Sequence, residues 1–135
     1  MESAESLTRE DIERLARRLA ERGERLQREI REVLAREGAD ERYDQLVGGA
    51  GDAGDESVAI HARDLSHAEV DRDIRELRDI RAAQDRIAAG EYGNCVDCGG
   101  FIGLPRLEAY PSAKRCVRCQ EIREKTRATT PRTSL

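Results

Sequence analysis

The sequence predicts an all-α-dominated fold: a long antiparallel helical hairpin of coiled-coil type, then a small four-cysteine knob and a short C-terminal helix. Three observations carry this. Apolar residues recur at helical spacing in two long stretches separated by a glycine cluster. Charged residues make up 39% of the chain and aromatics 3%, with no Trp and a single Phe, Phe101. Such a chain lacks the large side chains of a wide globular core, but a helix buries only a narrow stripe. Finally, all four cysteines fall in two close pairs near the C-terminal end.

The first helix is expected over about 8–47, a proline-free stretch. Residues 1–7 read as a frayed start; Thr8 is an N-cap candidate with acids in the following turn. Ile12, Leu19, Leu26 and Val33 recur every seven residues, with Leu15, Ala16, Ile30 and Leu34 between them. Arg and Glu fill most other positions, as on a coiled-coil arm. Gly23 and Gly38 each weaken the helix by about 1 kcal/mol relative to Ala.

Residues 48–54, GGAGDAG, break any helix. A second helix is expected over about 56–89, with the stripe Val58, Ala62, Leu65, Val70, Ile74, Leu77, Ile80, Gln84 and Ile87, ended by Gly90. Two stripes joined by a short glycine loop fold back on each other, since neither is stable exposed. One continuous helix that dimerises through its stripe is the competing arrangement. The expected organisation is a hairpin over 1–90 with its tip at 48–57, a cysteine-bearing domain with a C-terminal helix over 91–127, and a disordered tail over 128–135. The C-terminal helix is expected from Gln120 to Arg127.

Charge divides the chain. Residues 1–94 carry 16 Arg against 24 Asp/Glu, whereas residues 95–135 carry eight Lys/Arg against four Asp/Glu. Neither part is basic enough to track phosphates by charge alone, so sequence-specific DNA binding is not expected. The arginines at 14, 17, 18, 22, 25 and 28 alternate with Glu13, Glu21, Glu24 and Glu29, which suits a solvated, salt-bridged face. No apolar run has transmembrane length, and Met1 to Arg18 has no signal-peptide core. The expectation is a soluble cytoplasmic monomer without membrane attachment. No nucleotide-binding glycine loop, Ser/His/Asp set or activated nucleophile is present, so no enzyme is expected. His61 and His67 are six residues apart, off the helical spacing a two-histidine metal site needs, and read as surface or stripe residues.

Cys95-x2-Cys98, seventeen residues, then Cys116-x2-Cys119 is a spacing for one structural Zn2+. Each C-x-x-C turn offers two thiolates, and four thiolates leave no position for a catalytic water. Gly99 and Gly100 relieve crowding after the first pair. Metal binding would then fold a knob that has almost no core. A redox C-x-x-C would want a βαβ context, two disulfides an oxidising compartment; an iron–sulfur cluster is the remaining alternative.

The run from Cys95 through Cys98-Gly99, Ile102, Arg106-Leu107-Glu108-Ala109, Pro111 and Ala113 to Cys116 and Cys119 resembles the DksA/TraR C4-type zinc-finger family. Arg106-Leu107-Glu108-Ala109 before Pro111 is more specific than the cysteine spacing; Tyr92-Gly93 and Ile122-Arg123-Glu124-Lys125 also fit. The resemblance implies a bacterial transcription regulator that binds RNA polymerase directly. Its hairpin would enter the secondary channel, with the tip near the active centre, and alter open-complex stability. Asp52 and Asp55 match the two tip aspartates of the family, while Ser57 stands where the family has a small apolar residue. Read without the family, Asp55 caps the second helix and Asp52 is a turn residue. Arg106, Glu108 and Arg123 are the implied contacts to the polymerase rim. Family members that respond to ppGpp use basic residues at positions corresponding to Arg72, Asp79 and Gln120; only the first is basic here, so ppGpp coupling is expected to be weak or absent. The alternatives are a Gre-type transcript-cleavage stimulator and a zinc-finger adaptor for another protein.

Overall fold

The computed structural model describes residues 6–48 and 68–129. Asp52, Asp55 and Ser57, the glycine-rich loop beyond Gly48, His61, His67 and the first third of the expected second helix lie outside the described residues.

Helix α1 spans Arg9–Arg36. Thr8 starts it as expected, through a reciprocal capping box. The Thr8 hydroxyl accepts from the Asp11 N–H at 3.0 Å, and the Asp11 carboxylate accepts from the Thr8 N–H at 3.1 Å. Leu7, expected in a frayed start, instead lies against the core. The buried face is Leu15, Leu19, Gly23, Leu26, Ile30 and Leu34, spaced by three and four residues. Ile12 and Val33 are only half-buried at its margins. Burying each Leu or Ile contributes about 1.5–3 kcal/mol.

The expected 8–47 helix stops eleven residues early. Gly38 takes φ +66°, the Gly38 N–H donates to the Ala35 carbonyl and the Ala39 N–H donates to Leu34, which closes α1 in a Schellman turn. The chain then reverses through a 3₁₀ turn, Asp40–Arg42, into the short helix α2, Tyr43–Val47. Tyr43, Leu46 and Val47 are all buried.

Helix α3, Ala68–Ala89, packs antiparallel on α1 and forms the second arm. Intrachain pairing, rather than a dimerising single helix, covers the stripe. Its buried apolar residues are Val70, Ile74, Leu77, Ile80 and Ala83. Gln84, expected in this stripe, is exposed; Ala83 takes the inner position, where a small side chain fits without an unpaired amide. Gly90 at φ +76° ends α3 with the same turn as Gly38: Gly90 donates to Ile87 and Glu91 to Arg86.

Gly23 does more than weaken α1. A Cβ there would meet Ile80 Cγ2 at 3.4 Å and Leu77 Cδ1 at 3.7 Å, so the glycine sits where the two arms approach closely. Beyond α3 come a loop, the one-and-a-half-turn helix α4, Leu104–Ala109, and α5, Val117–Thr129, which starts three residues earlier and ends two residues later than expected. No strand forms among the described residues; an isolated antiparallel bridge pairs Asn94 with Phe101. No described helix is long and apolar enough to cross a membrane.

Candidate metal centre

The first cysteine pair sits on a tight hairpin. Ile102 donates to the Gly93 carbonyl at 2.8 Å and Cys95 to the Gly100 carbonyl at 2.7 Å, which places Cys95 and Cys98 at its turn. Gly99 takes φ +78°, and its N–H donates to the Cys95 carbonyl at 2.9 Å. A residue with a Cβ would be strained there. The Gly100 N–H points at Cys98 Sγ, 3.4 Å away. The second pair uses the start of α5: the Cys119 N–H lies 3.5 Å from Cys116 Sγ, and Gln120 donates to the Cys116 carbonyl at 2.9 Å.

The result is one cluster. The four sulfurs lie within 4.8 Å of one another, and Cys98 and Cys116 are 4.0 Å apart. A tetrahedral zinc with bonds of about 2.3 Å needs sulfur–sulfur edges of about 3.8 Å. The cluster therefore fits one ion with small inward movements. As free thiols, Cys95 and Cys119 are driven in opposite directions. Burial pushes Cys95 up, but backbone N–H groups of Cys98, Cys116 and Asp97 turn on its sulfur and bring it down to about 6. The Cys116 thiol, with burial, pushes Cys119 the other way, to about 12. A divalent cation removes the conflict, since it favours four thiolates together. Cys95 is buried, Cys116 and Cys119 half-buried and Cys98 exposed. All four predicted ligands are brought together, and they are positioned to bind one metal ion in a closed site.

The knob is tied back to the hairpin by contacts that the sequence analysis did not foresee. Inside the knob, Tyr92 donates its hydroxyl to the Pro111 carbonyl at 2.8 Å, and burial pushes its phenol up to about 12 against the pull of Arg86 and Arg18 on the hairpin. Arg86 reaches the Ala113 carbonyl at 3.4 Å. Arg14 pairs with the Glu108 carboxylate, and Arg18 donates to the Glu108 carbonyl at 2.7 Å. Lys114 pairs with Asp79 at 3.6 Å. Within the knob, Arg106 donates to the Arg115 carbonyl at 2.9 Å, and Arg115 in turn binds Asp97 at 2.7 Å. Two of the three residues expected at a partner rim, Arg106 and Glu108, thus make internal bonds that fix the knob; Arg123 is half-buried on α5. Of the expected ppGpp positions, Arg72 is exposed, Asp79 holds Lys114, and Gln120 donates to Glu124 at 2.8 Å. Helical i,i+4 spacing could have suggested Gln120 to Glu124, but the ties between knob and hairpin all join residues more than twenty positions apart.

Comparison with known proteins agrees with this geometry. The model of the prokaryotic dksA/traR C4-type zinc finger matches residues 90–125. The RNA polymerase-binding transcription factor DksA of Haemophilus influenzae is 40% identical over 58 residues, 41% of this chain and 40% of that protein. The protein of the same name from Escherichia coli K12 is 38% identical over 61 residues, 43% of this chain and 40% of its own length. The match thus spans about two fifths of these curated relatives. The structure of transcription factor DksA2 from Pseudomonas aeruginosa superposes with a TM-score of 0.58 at 26% identity, over 89% of this chain and 88% of that one. Four clustered cysteines with this signature make residues 90–125 a DksA/TraR C4-type zinc finger, carried on a helical pair similar in fold to DksA2.

Proposed function

We propose that this protein is a transcription regulator that binds RNA polymerase directly and works as a probe, without catalysis of its own. The observation that carries the reading is the closed four-cysteine knob docked on an antiparallel helical pair; the chain's fold is similar to that of DksA2 over most of both chains. The matched relatives are named as RNA polymerase-binding factors. In this reading the hairpin enters the secondary channel, and Asp52 and Asp55 act near the active centre and change open-complex lifetime. Arg123 meets the rim from α5, while Arg106 and Glu108 serve docking by holding the knob at its angle. A Gre-type factor shares the acidic probe idea, but a closed four-thiolate knob gives no support to that alternative.

Coupling to ppGpp is weak or absent in this reading. Asp79 adds negative charge and is matched by Lys114 within the chain, so a polyphosphate would meet repulsion and would have to compete with an existing ion pair.

The test is open-complex lifetime at a ribosomal promoter with purified polymerase holoenzyme. Wild type should shorten it, and the Asp52→Asn, Asp55→Asn double variant should bind without shortening it. No binding by wild type would sink the reading and favour an adaptor for another protein.

A further inference from the structure

A cleft of about 390 Å³ opens where the knob meets the hairpin, between α1, α3 and the loop that follows α4. Clefts of this size are typical of small-molecule sites. Its floor is apolar: Leu19 from α1 and Ile80 from α3, each 2% exposed, with Pro111 from the knob. Tyr110, 44% exposed, and the buried Ser112 add a ring and a hydroxyl on the knob side. The cleft exists only when both arms and the knob are assembled, because each supplies part of its wall.

Charge is unevenly placed around this floor. Arg18, Arg22 and Arg25 line it from α1, against two carboxylates, Glu21 and Glu76. Three arginines against two glutamates leave one positive charge. Glu76 is already matched: Arg22 donates to it through Nε at 2.8 Å and Nη2 at 2.9 Å. Arg18 gives one nitrogen to the Glu108 carbonyl, a neutral acceptor that leaves its charge uncancelled. The Arg25 side chain makes no hydrogen bond or ion pair with the described residues. Two cationic forks thus face an apolar floor with donors to spare.

The balance selects the ligand. A polyanion fits poorly, because Glu29 and Asp73 act on Arg22 from beyond the lining, and Asp79 and Glu76 act on Tyr110. A single carboxylate matches the one surplus charge, and its two oxygens suit a guanidinium fork. The floor then takes hydrocarbon, and Tyr110 and Pro111 suit a ring. We infer that this cleft binds a small amphipathic monocarboxylate, an aryl or alkyl acid whose charge meets Arg18 and Arg25 and whose hydrocarbon lies on Leu19, Ile80 and Pro111. Such an occupant touches both arms and the knob at once, and so braces the joint that Arg14 and Arg18 hold. The inference goes beyond polymerase binding and does not rest on it.

The test is titration of the zinc-loaded full chain with 4-phenylbutanoate, followed by proton–nitrogen NMR of the backbone amides. The amides of Arg22, Tyr110 and Ser112 should move together and saturate, while those of Tyr43 to Val47, away from the cleft, stay in place. The neutral 4-phenylbutanamide should bind at least about tenfold more weakly, since it lacks the charge. Arg25→Gln removes a cation that holds nothing else in the described fold; it should weaken the acid about tenfold and leave the rest of the spectrum intact. Pyrophosphate should not displace the acid. The inference is overturned if the cleft amides do not move or do not saturate, if the amide binds as well as the acid, if Arg25→Gln binds like wild type, or if pyrophosphate takes the site in preference. No polymerase enters the experiment, so its failure leaves the proposed function standing, and failure of that function leaves this result intact.

Discussion

Replacing Gly23 by Ala should stabilise the protein, against the usual expectation for a residue buried in a helix–helix seam. A glycine inside a helix costs about 1 kcal/mol relative to alanine. The added methyl would meet Ile80 Cγ2 at 3.4 Å and Leu77 Cδ1 at 3.7 Å, which are ordinary contacts with the ends of two side chains. It would therefore bury apolar surface, up to about 0.8 kcal/mol for one carbon, with only a small shift of Ile80. The expected gain is about 1–2 kcal/mol, or a rise in Tm of roughly 3–8 °C. Gly23→Val should do the reverse and cost about 1–3 kcal/mol, because its extra methyls have no space between Leu77 and Ile80. Urea unfolding of the zinc-loaded protein, followed by far-ultraviolet circular dichroism, reads both. A loss of stability in the alanine variant would show that the arms lie closer than described and that the glycine is required at the seam.

Other expectations follow from the same geometry. Leu26→Ala, which empties a fully buried position of α1, should cost about 2–5 kcal/mol in the same urea experiment; a cost below 1 kcal/mol would mean the seam is not formed there. Removing zinc with a chelator, or Cys98→Ser, should unfold the knob and leave most helical signal in place, since α1 and α3 contain no ligand cysteine. Limited proteolysis should then cut within 91–116; collapse of the helical signal would refute the division. Tyr92 is neutral when protonated, and its folded pKa is raised from 10.0 to about 12. Its contribution is therefore fully present below pH 10 and is lost as pH rises from 10 through about 12. Phenolate absorbance should show high-titrating tyrosines, and Tyr92→Phe should remove one of them, leaving Tyr110, which burial also pushes up.

The metal site was the most legible part, because both C-x-x-C turns are local and their spacing states the chemistry directly. The helical pairing was also readable: Leu15, Leu19, Leu26 and Ile30 face Ile74, Leu77 and Ile80 as their spacing required. What periodicity missed was the end of the first arm. Proline-free, charged sequence past Arg36 looks helical by composition, but the apolar residues at 43, 46 and 47 are out of phase with Leu34, and that phase shift was the available signal for the reversal at Gly38. Spacing alone puts Gln84 in the stripe, although Ala83 beside it needs no hydrogen-bond partner when buried. The ties between knob and hairpin, such as Arg14 to Glu108 and Lys114 to Asp79, join residues far apart in sequence. Each such residue also resembles the many solvated Arg, Lys, Asp and Glu around it, so only the fold could single them out.

The clasp between Arg14 and Glu108 spans 94 positions, whereas the Cys98 and Cys116 sulfurs that meet in the knob are 18 apart. That difference sets an order of events during synthesis. The first arm leaves the ribosome long before anything exists for Arg14 and Arg18 to hold, and its apolar stripe must wait for α3. The knob, by contrast, can gather its metal as soon as α5 begins to emerge, because closing a short loop loses less chain entropy than closing a long one. The head of the molecule is thus assembled from its tail: the piece made last fixes where the piece made first comes to rest.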